Sequence, residues 1–534
     1  MRHLKFLSSL MLVLTLCSGS AQADIYSDLK TLSTVIYNLD ARYVDTVNTS
    51  QLTEVAIRAM LKELDPHSTY LNARETREMT EGLGGSFEGI GVRYQMENDT
   101  LLVINTVPGG PSEKVGILAG DRIVMVGDSS IAGQKFPTTE IQRRLRGPKH
   151  SIVDLGVNRP GERQMLWFRV ERDKIPVHSI DASYLIAPGI GYIRLSRFGQ
   201  TTPEEVSDAM DQLELQGMKD LIIDLQDNGG GYLNAAVELA NLFLPNDELV
   251  VYTQGRSDGR REYTTRHLSP HFRGRLCVLI DEQSASASEI FAGCIQDYDR
   301  GILVGRRSFG KGLVQSPILL PNGGMVRLTV SHYYTPSGRC IQKPFTKGDK
   351  QSYDEDLLNR LHSGELLSAD SIHLADSLRY YTRSGRIVYG GGGIMPDLFV
   401  PLDTTRLTRA HRAVIAKGSI NRFVIQYFKQ HQAQMHRQYP SLDDFLARGT
   451  GYQLTDDVID GVLDQALRDS VQTDSLESLR TNDVFRQQLL AYLANDLYES
   501  GAYVRIMNRS SNVVQEGLRL LADDRRYQSL LIPE

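Results

Sequence analysis

Two short runs, Leu221-Ile222-Ile223-Asp224-Leu225 and Leu276-Cys277-Val278-Leu279-Ile280, constrain this chain more than any other feature. Successive side chains of a strand point to opposite faces, so an unbroken apolar run leaves no face for water. Such strands sit in sheets covered on both sides, the usual condition of parallel sheets. The neighbouring sequence agrees. Ile190-Gly191-Tyr192-Ile193-Arg194-Leu195 reads as a strand and precedes a helical stretch from Pro203 to Leu215. The run at 221–225 leads into Gly229-Gly230-Gly231 and a helix to Phe243, and the run at 276–280 into a helix from Ala287 to Tyr298. Strands alternating with helices predict α/β layers over about residues 174–402.

The flanks have other textures. Residues 24–81 read as helical, with Leu52, Val55, Ala56, Met60 and Leu61 at helical spacing until Asp65-Pro66 breaks the pattern. From Gly82 to about residue 173 the chain is glycine-punctuated and β-like, as in Ile90-Gly91-Val92-Arg93-Tyr94 and Ile123-Val124-Met125-Val126. Residues 345–385 are polar and read as an insertion. From 403 to 534 helices return: Ile420, Phe423, Val424, Tyr427 and Phe428 recur at i, i+3, i+4, i+7 and i+8. That last region carries no chemical motif, and a role in homo-oligomer formation or adaptor docking is the expectation for it.

Residues 1–23 read as a signal peptide. Arg2 and Lys5 precede an apolar run from Phe6 to Leu16, too short to span a bilayer, and Ala21-Gln22-Ala23 supplies small residues before a cut at Asp24. An uncleaved anchor and a lipoprotein attached through Cys17 are the alternatives; Leu16 is bulky for the second. The expected protein is exported, to the periplasm or cell envelope or beyond, with no stable membrane span after cleavage. The 59 basic and 65 acidic residues give a net charge of −6, which excludes nucleic-acid binding through a general basic field. The four cysteines (Cys17, Cys277, Cys294 and Cys340) make no CxxC pair and no zinc spacing. The three left after cleavage suggest no disulfide framework.

The chemistry concentrates in two segments. Gly305 to Gly312 has the glycine and lysine spacing of a phosphate-binding loop, but Gly312 stands where Ser or Thr is required. The following residues look extended, so no helix N-terminus is available for phosphate. Ser284-Ala285-Ser286-Ala287-Ser288-Glu289-Ile290 follows a buried strand. Ser286 to Glu289 fits a helix capping box with no chemistry attached. A serine at a strand-to-helix turn can equally display a nucleophile, with the next backbone N–H and the helix dipole facing developing negative charge. No histidine lies near these segments in sequence. Lys311, between glycines, is the candidate base, provided that burial keeps its amine neutral. Serine–lysine pairs are a known variant of the catalytic triad.

These segments together resemble the carboxyl-terminal processing, or tail-specific, proteases of peptidase family S41. The matching stretches are L-D-P-H-S-T-Y at 64–70, D-L-Q-D-N-G-G-G at 224–231, S-A-S-A-S-E-I at 284–290, F-G-K-G-L-V-Q at 309–315, Y-Y-T-P-S-G-R at 333–339 and G-G-G-I-M-P-D at 391–397. The resemblance implies a ClpP/crotonase-like α/β spiral core with an inserted β-rich PDZ domain at 82–173 and helical N- and C-terminal regions. It implies Ser286 as nucleophile, Lys311 as base and Gln315 as the group orienting the lysine amine. Residues 311 and 315 share parity, so on an extended strand they face one side. It implies oxyanion donors at the backbone of Ala287 and of Gly230 or Gly231. Asp297 matches a family aspartate whose role is auxiliary or structural. Gln226 departs from the arginine that relatives often carry. Gly89-Ile90-Gly91-Val92 matches the loop that binds a chain-terminal carboxylate through backbone N–H groups. The implied activity is an exported serine endopeptidase that reads protein C-terminal tails and needs no metal, nucleotide or other cofactor. A catalytically idle PDZ scaffold and a crotonase-like enzyme acting on CoA thioesters are the alternatives.

Overall fold

The computed structural model describes residues 20–97, 99–266, 271–471, 475–498 and 500–533. The signal-peptide reading therefore falls mostly outside the described residues. The chain opens with helices α1 (Ser20–Arg42) and α2 (Thr49–Lys62), a short strand β1 (Thr69–Leu71) and helix α3 (Ala73–Leu83). Asn72 caps α3 and Glu75 answers it, a full capping box.

A β-rich body follows. Strand β2 (Ser86–Gly89) leads to β3 (Val92–Glu97), β4 (Thr100–Thr106), β5 (Arg122–Val126), helix α4 (Thr138–Leu145), β6 (Ile152–Asn158) and β7 (Leu166–Glu171). Strands β3 to β7 form one antiparallel sheet in that order, so β3 is an edge. Its core joins Leu101, Val103, Ile123, Leu155 and Val157 to Ile141 and Leu145 of α4. Strand β8 (Asp173–Pro176) returns to β2, pairing Gly89 with Asp173 and closing the body at its neck.

The central sheet runs β9 (Ile180–Ala187), β10 (Ile190–Leu195), β11 (Asp220–Asp224), β14 (Leu276–Ile280), β15 (Ile302–Gly305) and β18 (Leu398–Phe399). All neighbours from β10 onward are parallel. Helices α5 (Thr202–Leu215), α6 (Leu233–Ala240) and α7 (Ala287–Asp297) supply the crossovers. The second sheet contains β12 (Leu249–Gly255), β13 (Gly259–Thr264), β16 (Leu313–Leu319) and β17 (Met325–Tyr334), and β1 joins β17 with Thr69 opposite Arg327.

The apolar runs divide as the strand period requires. Leu221, Ile223, Val278 and Ile280 face one core with α5, α6 and α7. Ile222, Cys277 and Leu279 face the other way. What covers that second face comes from the far end of the chain: Val513, Val514, Leu520 and Leu521 of helix Asn512–Ala522, with Tyr527 beyond it. Gly517 permits the approach, because a Cβ there would already lie 3.3 Å from Cys277 Sγ and Leu279. The helical region after 403 is thus two things. Residues 410–507 build their own core around Val424, Phe445, Val462 and Leu489, while the last helices belong to the central sheet. The bundle also meets the β-rich body, where Leu102 and Ile104 approach Ile425 and Phe428. The insertion includes a short helix α8 (Lys350–Asp354). Cys277, Cys294 and Cys340 are free thiols. Among the described residues no helix is long and apolar enough to cross a membrane.

Candidate active site

The three serines of the 284–288 segment do different work. Ser284 Oγ donates to Leu225 O at 2.7 Å, and Ser288 Oγ donates to Asn228 O at 2.9 Å. Ala285 N–H also donates to Asn228 O. The outer serines therefore fasten the start of α7 to the loop after β11. Ser286 is held between them at φ 58° and ψ −113°, a region non-glycine residues rarely occupy. Its side chain lines a cleft of about 410 Å³ with Gly229, Gly230, Gly231, Lys311, Arg327 and Met79 of α3. The capping box expected here is present in its backbone half: Glu289 accepts the Ser286 N–H at 2.8 Å.

The fully buried Glu289 carboxylate also accepts from Ser308 Oγ, from Gly310 N at 2.7 Å and from Lys311 N at 2.9 Å. Burial raises its pKa, and the four donors work against that rise. One anion thus fixes the backbone of both candidate catalytic residues.

Burial pushes the Lys311 ammonium down to about 8, and the Arg327 guanidinium presses in the same direction. The Glu289 and Asp65 carboxylates oppose the shift. A lysine in this range has an appreciable neutral fraction near neutral pH, as a base requires.

The glycine loop meets Ser286 closely. A Cβ on Gly230, at φ +93°, would lie 2.6 Å from Ala285 O and 2.8 Å from Ala287 N. A Cβ on Gly231 would collide with Phe198 O at 2.1 Å. The Gly230 N–H already donates to Asn228 Oδ1 at 2.9 Å, while neither Ala287 N–H nor Gly231 N–H has an acceptor among the described residues. At the departure from the family pattern, Gln226 Nε2 bonds Asp224, and the cation at this carboxylate comes instead from Arg194 on β10, which also reaches Asp227.

Two sequence expectations need correction. Gln315 does not hydrogen-bond the Lys311 amine; its Nε2 donates to Leu313 O at 3.3 Å and Thr329 Oγ1 at 3.2 Å. Residues 311 and 315 do not share a strand face, because Lys311 precedes β16 and the register of β16 against β17 shifts between Val314 and Gln315. Secondly, a histidine does reach this region. His67 lies close enough to Lys311 for the two charges to interact, but burial, with that lysine second, pushes its pKa down to about 3, and its Nε2 pairs with Tyr353 OH of α8 at 2.8 Å. It is held neutral. The sequence signal for this contact was L-D-P-H-S-T-Y, which served only as a marker of resemblance.

Asp297 lies at the other end of α7. Its carboxylate accepts from Arg339 at 2.7 Å and from Ser337 N at 2.9 Å, both in the T-P-S-G-R turn, and the ion pair is fully buried. Both contacts tie the end of α7 to the turn after β17.

In the β-rich body, Ile90 O accepts from Ser112 N and Oγ, and Gly91 O accepts from Val107 N. Peptide units are trans, so the N–H groups of Gly91 and Val92 point away from these contacts. Gly91 holds φ +71°, which turns the loop. Gly89, Ile90 and Gly91 are buried, with Val92 at the start of the edge strand.

Comparisons with known proteins match three parts of the chain. Residues 189–351 match peptidase family S41, residues 103–159 match the PDZ domain, and residues 410–499 match a family of unknown function. A carboxy-terminal-processing protease of Bartonella bacilliformis is 34% identical over 343 residues, covering 63% of this chain and 78% of the relative. The carboxy-terminal processing protease CtpB of Bacillus subtilis is 32% identical over 332 residues, covering 61% and 68%. The solved structure of a photosystem II D1 C-terminal processing protease is 28% identical, covers 59% of this chain and 84% of that one, and has a TM-score of 0.32. The chain belongs to peptidase family S41, as a serine peptidase of the carboxy-terminal processing type that carries a PDZ domain.

Proposed function

We propose that this peptidase acts outside the cytoplasm on proteins with exposed C-terminal tails, which the PDZ domain captures before the chain is cut at Ser286. The observation that carries the reading is the cleft itself: Ser286 and a lysine with a depressed pKa line one cavity, with two unengaged backbone N–H groups beside the serine. Support for export comes from the composition of residues 1–23.

The chemistry balances without further groups. Neutral Lys311 takes the Ser286 hydroxyl proton as Oγ attacks the scissile carbonyl carbon. The oxyanion is received by the N–H of Ala287, at the N-terminus of α7, and by that of Gly231. Collapse breaks the C–N bond, and the Lys311 ammonium returns its proton to the departing amine. Water then attacks the ester, giving its proton to the same lysine, and the new carboxylate leaves as Ser286 recovers its hydrogen.

For tail capture, the peptide adds to the edge of β3 beside α4, and its terminal carboxylate sits on the N–H groups of the Gly89–Val92 loop. The deciding experiment offers purified residues 24–534 an unstructured protein, with and without a folded C-terminal extension. Cleavage that the extension blocks supports the reading. Cleavage indifferent to it leaves a general endopeptidase, and no cleavage at all leaves a tail-binding scaffold.

A further inference from the structure

Three charged groups act on the Lys311 amine: Arg327 on β17, Glu289 on α7 and Asp65 in the segment before β1. Arg327 and Glu289 belong to the protease core. Asp65 does not, and its surroundings are built around it. Its carboxylate accepts from His67 N and Ser68 N, both at 2.9 Å, from Ser68 Oγ, and from Thr329 Oγ1 at 2.9 Å. Ser68 Oγ in turn accepts from Thr329 N at 3.1 Å. Thr329 stands directly opposite Gln315 in the β16–β17 ladder, and its hydroxyl accepts from Gln315 Nε2 while donating to Asp65. A hydroxyl that donates to an anion is a better acceptor on its other side.

We propose that Asp65, delivered by the N-terminal segment, is a positioning residue for the base side of the site: it holds Thr329, and through Thr329 the Gln315 carboxamide, on the strand whose Arg327 lines the cleft with Lys311. This rests on the serine–lysine reading above. It makes the segment at 65–71 part of the catalytic apparatus, since β1 pairs with β17 at Thr69 opposite Arg327 while Asp65 holds Thr329 on the same strand. His67 faces the same amine but is held neutral and contributes no charge. The opposing effects on the amine are then burial and Arg327 on one side, Glu289 and Asp65 on the other. Removing the negative charge at 65 tilts the balance toward the neutral amine and, at the same time, loosens Gln315.

The test is hydrolysis of dye-labelled casein by the full chain across roughly pH 6 to 10, comparing Asp65→Asn, Thr329→Val and Thr329→Ser. Asp65→Asn should lower kcat about tenfold through misplaced groups, with KM little changed. It should also move the rising limb of the pH profile to lower pH, which a purely structural role would not do. Thr329→Val should lower kcat to a similar degree, and Thr329→Ser, which keeps the hydroxyl, should restore it. A folded Asp65→Asn protein with the parent kcat and limb overturns the proposal. So does Thr329→Val with the parent kcat, a result that decides even where Asp65→Asn fails to fold. Ser286→Ala is measured alongside. Activity surviving in it overturns the serine–lysine reading and this proposal together; loss of activity there with no effect at Asp65 overturns the positioning role alone.

Discussion

Ser286 and Lys311 are bound through their backbone N–H groups to one carboxylate oxygen, Glu289 Oε2, at 2.8 and 2.9 Å. The spacing of nucleophile and base is thus set by main chain held on a buried anion, leaving both side chains free for chemistry. Glu289→Gln exchanges one acceptor oxygen for a donor among four existing donors. It should lower stability by about 2 kcal/mol or more, since hydrogen bonds to charged groups contribute ~1.5–3 kcal/mol each. Turnover of the folded fraction should fall as well. Thermal unfolding read beside kcat separates the two effects.

Ser286→Ala and Lys311→Ala should each abolish cleavage while the cooperative unfolding transition persists, and the double variant should be no worse than either, because the pair acts as a unit. Lys311→Arg should fail equally, since a guanidinium does not become neutral. Near-parent turnover by the arginine variant would remove Lys311 from the role of base.

The pH dependence has a defined sign. Lys311 must be neutral to act, and burial together with Arg327 holds its pKa down at about 8. Activity should therefore climb as pH rises through about 8 and level off above it. His67, held near 3, contributes no second limb in this range. A limb centred near the ordinary histidine value, and retained in His67→Gln, would point to a different base.

Asp297 should prove a stability residue. Asp297→Ala takes the carboxylate from the buried Arg339, leaving it Gln296 Oε1 and Tyr389 O, while its Nε has no partner among the described residues. Breaking a buried pair costs ~3–5 kcal/mol, so a large fall in melting temperature is expected, with kcat per folded molecule near that of the parent. A stable Asp297→Ala protein without activity would return this residue to the catalytic set.

For tail reading, one peptide is compared as free acid and as C-terminal amide with the intact enzyme. The amide loses the charge and an acceptor oxygen at the Gly89–Val92 loop, and a charge-assisted hydrogen bond is worth ~1.5–3 kcal/mol. Cleavage of the amide should be slower by about tenfold or more. Equal rates would exclude carboxylate recognition.

The sequence was most legible where period and burial coincide. The runs at 221–225 and 276–280 became central parallel strands, and Ile420 to Phe428 became one face of the helix Ser419–Gln438. Ser286 could be found because a serine after a buried strand and before an apolar helix is a local pattern. Asp65 and Thr329 could not be paired by such reasoning: 264 residues separate them, and only the β1–β17 pairing brings them together. The Gln315 contact was hidden for a smaller reason, a register shift between Val314 and Gln315 that strand parity does not show. The covering of the sheet by residues 512–521 was hidden in the same way, since an apolar helical face does not say which surface it will meet.

That covering helix also sets an order in time. Strands β10, β11 and β14 are synthesised in the middle of the chain, yet Ile222, Cys277 and Leu279 lack the covering of Val513 to Leu521 until those residues have been made. A nascent chain therefore carries the nucleophile and the base on a half-wet sheet for more than two hundred residues of elongation beyond β14. Fastening of the central sheet is thereby tied to synthesis of residues 513–521, and a chain that stops before them lacks that support beneath Ser286 and Lys311.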